Sequence, residues 1–411
     1  MRKFNFLKAA FVEMSLVAVL GLGPVGAGPA LTQGGNGNVN QETGYAARFA
    51  NAGRNSFLNV STKAKGQVTW KQACDAGTHP LGVTVFTWGD LVVAVTATEI
   101  HAFARDGKPL WSLPKRFCSP AVLAEGVLWY QHPSHFLSSV DAKGQVVNDK
   151  ESFPGALGDT EHVELLYPRK DHFIASDYDL NQRDHDEMTG VNLSSEPELE
   201  IRKNVFGYSY SALQKTFERT VEVPPLFDSN TSVVSVVSRG DIIQMDMTEQ
   251  KKERRFPCPV EELVEWSLLD NGNYCLLGYD GGEKVAVEVA EGGDVLWRYR
   301  DTAGKDKWLV HPPVSGPGDA VYVLTDQRVV AIKKGTAAWK CDFGGTVQAG
   351  FACALADGSL LATHDGTLQH LDKNGKALFS LKLDAPIVSP PAVDKSGSIF
   401  VATASQLLRI D

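Results

Sequence analysis

A repeated unit ending in glycine and, four residues later, tryptophan constrains the fold of this chain more than any other feature. Its clearest copy runs from Val321 to Trp339, where two short apolar stretches flank the polar pair Thr325-Asp326 and are followed by Gly335 and Trp339. Two β-rich stretches with a polar break are typical of a hairpin, and the glycine supplies the positive φ of a tight turn. One copy cannot bury both of its faces, so the unit predicts a protein built from several copies.

Further copies of the ending occur along the chain. They are Gly107 to Trp111, Gly293 to Trp297, Gly375 to Phe379 and, with the aromatic residue lost, Gly144 to Asn148. The intervals from Gly107 to Gly144, Gly293 to Gly335 and Gly335 to Gly375 are 37, 42 and 40 residues. Repeats of about 40 residues made of short β-stretches are typical of β-propeller blades.

The tryptophans at one repeat position predict packing rather than chemistry. A cofactor would need one or two stacking side chains, whereas a repeated position must make the same neighbour contact in every unit. We therefore expect packing between blades for Trp70, Trp111, Trp297 and Trp339.

The last copy is divided between the two ends of the chain. It stops at Leu407–Asp411, and the missing turn and strand occur early, as Gly66 to Trp70. A ring closed by strands from both ends has no open blade at the seam. The predicted fold is all-β: an eight-bladed propeller of four-stranded antiparallel blades, closed by an N-terminal strand that completes the C-terminal blade. Seven blades remain the alternative, because the repeat is weak from about residue 150 to 260.

The repeats resemble those of the pyrroloquinoline-quinone (PQQ) type propeller family, most closely at Ile100 to Trp111, Val321 to Trp339 and Gly358 to Phe379. The segment Arg48 to Phe57 resembles the lead-in that precedes the first blade in that family. The resemblance covers roughly residues 45 to 411 and implies the propeller fold. It leaves activity open, because the family includes quinone-dependent dehydrogenases and non-catalytic scaffolds such as the BamB-like lipoprotein of the outer-membrane assembly machinery.

The N-terminus has the pattern of a targeting segment. Basic residues precede an apolar stretch, Met14 to Leu22, that is too short to span a bilayer. Val25 and Ala27 are small residues suited to cleavage after Ala27, and Ala30 is a second candidate. We predict a cleaved signal peptide at 1–27, a disordered Gly/Asn-rich linker at 28–44 and the propeller at 45–411. The first cysteine is Cys74, so the lipid-attachment cysteine of the BamB-like scaffolds is absent. The mature protein is expected to be periplasmic or extracellular, without a membrane span.

Charge and cysteine usage narrow the classes further. The net charge is −9 and the basic residues form no long block, which disfavours nucleic acid as a partner. None of the six cysteines forms Cys-x-x-Cys, which disfavours zinc and thioredoxin-like chemistry. Export would permit disulfides, with Cys341–Cys353 and Cys258–Cys275 as local candidates; buried free thiols are the alternative.

An acidic insertion from Asp177 to Glu187 is the sharpest candidate site. Asp177, Asp179 and Asn181 have the alternate spacing that points oxygen ligands at one Ca²⁺. The sixth and twelfth positions of the usual loop are Gln182 and Met188, instead of the expected Gly and Glu, so a solvated hairpin loop is the default interpretation. Three further acidic residues of the insertion are candidate partner contacts: Asp184, Asp186 and Glu187.

Catalytic patterns are missing from the sequence. No Gly-x-Ser-x-Gly, phosphate-binding Gly-rich loop or His-Glu-x-x-His occurs, and two histidines at His132 and His135 have no cysteine or carboxylate cluster beside them. The family's dehydrogenases use a vicinal cysteine pair over PQQ, which this sequence lacks. PQQ is therefore disfavoured, Ca²⁺ is left open, and no catalytic or cofactor-binding residue is assigned.

Three functional hypotheses follow. The first is an exported, non-catalytic, monomeric propeller that presents its loops to a partner protein in the cell envelope. The second is a PQQ-dependent oxidoreductase. The third is a propeller that binds carbohydrate or another polymer.

Overall fold

The predicted all-β class is confirmed. The computed structural model describes residues 56–74, 83–115, 121–124, 126–131, 137–150, 163–168, 172–177, 187–192, 223, 226–228, 231, 233–238, 240–246, 253–302, 304–347 and 349–411. All regular secondary structure within these residues is β-strand. This part of the chain contains no helix that is long and apolar enough to cross a membrane.

The described strands form eight sheets, numbered here along the chain. Sheets 1 to 4 contain β3 (Thr84–Trp88), β4 (Leu91–Val95), β5 (Glu99–Ala104) and β6 (Pro109–Pro114); β7 (Ala121–Ala124), β8 (Val127–Gln131), β9 (Leu137–Val140) and β10 (Val146–Lys150); β11 (Val163–Pro168), β12 (His172–Asp177) and β13 (Glu187–Asn192); and β14 (Leu226–Asp228), β15 (Val233–Ser238), β16 (Asp241–Asp246) and β17 (Glu253–Pro257).

Sheets 5 to 8 continue the pattern and include two strands from the start of the chain. They contain β18 (Glu262–Leu268), β19 (Tyr274–Asp280), β20 (Glu283–Val289) and β21 (Val295–Asp301); β22 (Val314–Gly316), β23 (Ala320–Leu324), β24 (Arg328–Lys333) and β25 (Thr336–Asp342); β26 (Gly350–Leu355), β27 (Leu360–His364), β28 (Thr367–Leu371) and β29 (Ala377–Lys382) with β1 (Phe57–Leu58); and β30 (Ala392–Val393), β31 (Ile399–Ala402) and β32 (Gln406–Ile410) with β2 (Val68–Ala73).

Apart from β1, which pairs in parallel with β26, the described strands of each sheet form an up-and-down antiparallel arrangement, which places the connections on two faces. The turns between first and second and between third and fourth strands lie on one face, the turn face. The described turns between second and third strands share the other face, the loop face, with the described connections between sheets. On the loop face Thr325 closes its turn by accepting hydrogen bonds from the amides of Gln327 and Arg328 (3.3 and 3.1 Å). This is the polar break that separates the two apolar stretches of the repeat.

The strand exchange predicted at the seam is confirmed. β2 pairs antiparallel with β32, with Val68 opposite Ile410 and Trp70 opposite Arg409. Gln67 and Asp411 also exchange both backbone hydrogen bonds, each 2.9 Å long. The early strand therefore supplies the fourth strand of sheet 8.

The recurrent aromatic residues pack between sheets, as their repetition predicted. Each lies against the glycine one or two residues before the fourth strand of the next sheet, where a Cβ atom would come within 2.6–3.1 Å of the aromatic side chain. These glycines have φ of +75° to +95°, a range that also favours glycine. The pairs are Trp70 with Gly107, Trp111 with Gly144, Phe256 with Gly293, Trp297 with Gly335, Trp339 with Gly375, and Phe379 with Gly66.

Three of the tryptophans also make the same polar contact. The indole Nε1 of Trp70, Trp111 and Trp339 donates to a backbone oxygen in the turn of the next sheet, at 2.8, 3.1 and 3.0 Å. The indole of Trp297 instead donates to Glu288 of its own sheet. Shape and hydrogen bonding together fix the spacing between neighbouring sheets, since a buried indole needs a partner for its N–H.

The described cysteines form no disulfide. Cys341 lies on β25 in sheet 6, whereas Cys353 is buried on β26 in sheet 7, so the predicted Cys341–Cys353 bond is wrong. Cys275 is buried on β19, and the Cys258–Cys275 bond is also wrong. Burial raises the pKa of the Cys275 and Cys353 thiols, which keeps them protonated and unreactive.

Two buried histidines predict that acid destabilises sheet 7. Burial lowers the pKa of His364 and His370 below the usual 6.5, so the unfolded chain binds protons that the folded chain does not. Stability should therefore fall as pH drops through 6.5 toward the lowered values. Urea midpoints at several pH values should show this loss, and His364→Gln/His370→Gln should reduce it. An equal pH slope in both proteins would contradict the assignment.

Candidate functional site

The acidic insertion begins at the end of β12 and finishes at the start of β13, the second and third described strands of sheet 3. Asp177 closes β12 and Glu187 opens β13, and the two are paired across the strands. Asp179, Asn181, Asp184 and Asp186 lie outside the described residues. Ca²⁺ binding and partner contact at this insertion therefore stay predictions. His132 and His135 also lie outside the described residues.

The connection between sheets 5 and 6 is the loop 302–313, of which residue 303 lies outside the described residues. It lies along the end of β23 and the turn that follows. The amide of Leu309 donates to the carbonyl of Leu324 (3.1 Å), and that of Asp326 donates to the carbonyl of Lys307 (2.9 Å). The Asp326 carboxylate in turn accepts from the Lys307 amide (2.9 Å). This loop is pinned to sheet 6 by backbone bonds, much as a short extra strand would be.

Beneath the loop lies a group of five charged residues from the loop itself and from four strands, β20, β21, β24 and β25. Lys284 on β20 hydrogen-bonds Asp306 of the loop, and its Nζ is 3.3 Å from Asp301 Oδ2 at the end of β21. Arg328 Nε on β24 is 3.4 Å from the second oxygen of Asp306, and Lys340 Nζ on β25 is 3.4 Å from Asp301 Oδ1. Lys284, Asp301 and Asp306 are buried, so these charges connect sheets 5 and 6 to the loop away from water.

The ionisation of Asp306 depends on these neighbours. Burial alone would raise the pKa of this carboxyl group, but hydrogen bonds from Lys284 and Thr325 and the charges of Lys284 and Arg328 hold it below its usual value. Asp306 is therefore an anion at neutral pH. The charge group therefore holds the loop in place and does not donate a proton. We call its five residues, Lys284, Asp301, Asp306, Arg328 and Lys340, the latch.

An aromatic side chain completes the underside of the loop. Trp308 is buried, and its indole Nε1 donates to the Gly278 carbonyl of β19 (2.9 Å). The Lys284 ammonium lies 5.6 Å from the centre of the Trp308 ring. The cation–π contact and the hydrogen bond add to the latch at the same point.

Unlike its buried underside, the outward side of the loop is exposed to solvent. Lys305 and Lys307 are exposed, and Val310 is 78% exposed. The 302–313 loop thus presents two cations and an apolar side chain from a fixed backbone. Such a surface can bind carboxylates and apolar groups of another protein.

Sequence patterns missed this site. Asp301 ends β21, Arg328 begins β24 and Lys284 is the second residue of β20. Charged residues near strand ends are ordinarily solvated, and no local spacing relates these three to Asp306. The available signal was the tryptophan Trp308, which lies outside the glycine-to-tryptophan repeat. Its irregular position indicates a contact special to this loop.

Sheets of this kind, repeated in chain order with a strand exchanged between the two ends, define a β-propeller type of fold. Among solved structures the chain resembles BamB from Moraxella catarrhalis, with 13% sequence identity, a TM-score of 0.52 and coverage of 84% of this chain and 96% of that one. A streptogramin B lyase structure matches with 11% identity, a TM-score of 0.41 and coverage of 70% and 90%, which is too distant to carry an argument.

The family comparison is more specific. Residues 325–411 match the family model described as outer membrane protein assembly factor BamB, which is built from PQQ-type repeats. A search of curated proteins found no match. The resemblance to PQQ-like β-propeller repeats is therefore confirmed, with the C-terminal sheets as its strongest part.

Proposed function

We propose that this chain is an exported, non-catalytic scaffold that binds a partner protein of the cell envelope through its loop face. The ring is closed and has eight blades, one for each sheet. The protein works as a monomer without a redox cofactor, and residues 1–27 and 28–44 serve as signal peptide and linker. The BamB description of the matched family, an assembly factor, supports a role in holding other proteins.

Contacts between successive sheets support the closed ring. The aromatic-to-glycine contacts link sheets 4, 5, 6, 7, 8, 1 and 2 in that order. Strand β11 of sheet 3 contacts both β7 of sheet 2 and β14 of sheet 4. Every sheet therefore has two neighbours, as closure requires.

The observation that carries the proposed role is the contrast within the 302–313 loop. Its inward side is held by buried charges, while Lys305, Lys307 and Val310 face solvent. A preformed loop loses little conformational entropy on binding, which favours protein recognition. We expect the acidic insertion, which connects β12 to β13, to extend this contact surface.

A comparative pull-down from an envelope fraction tests this role. We expect Lys305→Glu/Lys307→Glu/Val310→Asp to reduce recovery of the partner about tenfold or more, because it reverses two charges and removes an apolar contact. Replacing residues 178–186 by Asn-Gly should weaken capture with little change in thermal stability. Each captured protein would be identified by mass spectrometry.

The matched control changes the turn face. Lys373 and Lys395 are exposed there, and Leu378 on β29 is 58% exposed. The variant Lys373→Glu/Lys395→Glu/Leu378→Asp makes the same chemical changes and should capture the partner as the parent does. Equal losses in both triple variants would reject the loop face as the binding surface.

A further inference from the structure

An additional strand lies on one edge of sheet 7. β1 pairs in parallel with β26, with Phe57 opposite Ala354 and Leu58 opposite Leu355. Among the described sheets this one alone has five strands. The pairing is also parallel, whereas the other strand pairs of the described sheets are antiparallel.

The edge that β1 occupies faces the axis around which the sheets are arranged. First strands of neighbouring sheets contact each other, as in the pairs β3 with β30, β7 with β11, β11 with β14, β14 with β18, and β22 with β26. First strands therefore lie innermost. β1 contacts β22 as well as β26, which places it beside two of these inner strands.

Three amides along this inner edge of β26 and the turn after it are already satisfied. The Ala354 amide donates to the Ser56 carbonyl (3.0 Å), and the Ala356 amide donates to the Val60 carbonyl (2.9 Å). The Ala352 amide instead donates to the imidazole Nε2 of His311 (3.2 Å). Alternate amides of a strand point to the same side, so these three donors form one continuous edge. The N-terminal segment satisfies two of them and a side chain satisfies the third.

The two side chains of β1 are bound on opposite sides. Phe57 packs against the core between sheets 6 and 7, and Leu58, 1% exposed, belongs to the core that joins sheet 7 to sheets 8 and 1. Alternation of this kind is the usual way in which an added strand gains specificity, while its backbone supplies affinity.

We propose that the inner edge of sheet 7 is a strand-binding site for an extended peptide, and that residues 56–60 are its resident occupant. The site takes a peptide in parallel register with an aromatic residue followed by an aliphatic one. Two carbonyls of the bound peptide accept hydrogen bonds from the site. The carbonyl of the residue before the aromatic one, as in Ser56, accepts from the Ala354 amide, and the carbonyl three residues after the aromatic one, as in Val60, accepts from the Ala356 amide. The site is separate from the loop face, so it does not rest on the proposed partner binding.

The experiment uses site-resolved amide hydrogen exchange on the full-length protein. In the parent, the amides of Ala352, Ala354 and Ala356 should all be protected. In Phe57→Ser/Leu58→Ser, exchange at Ala354 and Ala356 should rise by roughly tenfold or more, while Ala352 stays protected by His311. His311→Ala should give the opposite result, with faster exchange at Ala352 alone.

Adding a synthetic peptide of residues 54–62 to Phe57→Ser/Leu58→Ser should restore protection at Ala354 and Ala356. The same peptide with both serines should not, and neither peptide should bind the parent. Rapid exchange of Ala354 and Ala356 in the parent would overturn the assignment, and so would failure of the native peptide to protect the variant. Should that variant not fold, Leu58→Ala with the same peptides decides the question.

Discussion

Replacing Lys284 by methionine is expected to lower the free energy of unfolding by about 4 kcal/mol, since it leaves Asp301 and Asp306 buried without their shared cation. Methionine keeps most of the side-chain volume, so the loss reports charge rather than a cavity. The shift in the urea midpoint measures it. Proteolysis within the 302–313 loop should also become faster, because Asp306 connects that loop to β20.

Two variants show whether burial causes the effect. Lys284→Met/Asp306→Leu removes one charge of each sign and leaves Lys340 with Asp301, so it should recover most of the lost stability. Arg300→Met breaks the half-exposed Arg300–Glu283 pair (3.0 Å) and should cost less than about 1 kcal/mol. If Lys284→Met lost as little free energy of unfolding as Arg300→Met, the buried charges would not be what holds the loop.

Replacing Gly375 by alanine should lower the free energy of unfolding by about 3 kcal/mol. Of this, about 1 kcal/mol comes from a φ of +80°, which disfavours any residue with a Cβ. The remainder, about 2 kcal/mol, arises because the new Cβ would lie 2.6 Å from the Trp339 ring. The urea midpoint is again the measurement.

Gly344 provides the matched control for that substitution. Its φ is +81°, but no atom lies within 4 Å of a Cβ placed there. Gly344→Ala should therefore show the backbone cost alone, about 1 kcal/mol. The difference between the two variants measures the contact between sheets 6 and 7. If both variants lost the same free energy of unfolding, Trp339 would be able to move away from the new Cβ atom at no cost in stability.

Much of the fold was predictable because the repeat encodes it locally. The strands from Val321 to Trp339 and the exchange between β2 and β32 follow from apolar stretches separated by turn residues. The aromatic-to-glycine packing was predictable for the same reason, since it occurs once in each unit. The middle of the chain has weaker repeats, and residues 193–222 lie outside the described residues.

The candidate site was not predictable in the same way. The local spacing of acidic residues made the acidic insertion a predictable candidate site. The latch under the 302–313 loop was not predictable, because it combines residues that are far apart in sequence. The disulfide candidates failed for a related reason: Cys341 and Cys353 are twelve positions apart, yet they lie on an outer and an inner strand of different sheets. Closeness along the chain says little about distance once each sheet turns back on itself.

The sequence by itself determined the repeating unit, the strands, the turns and the seam, because each depends on residues within one unit or on identical units side by side. Only the tertiary structure decided which charges share a buried space and where the lead-in segment lies. Lys284 meets Asp306, and residues 56–60 meet the inner edge of β26, through the arrangement of whole sheets. Each of these contacts appears once among the residues that the structure describes, so no repetition in the sequence could reveal it.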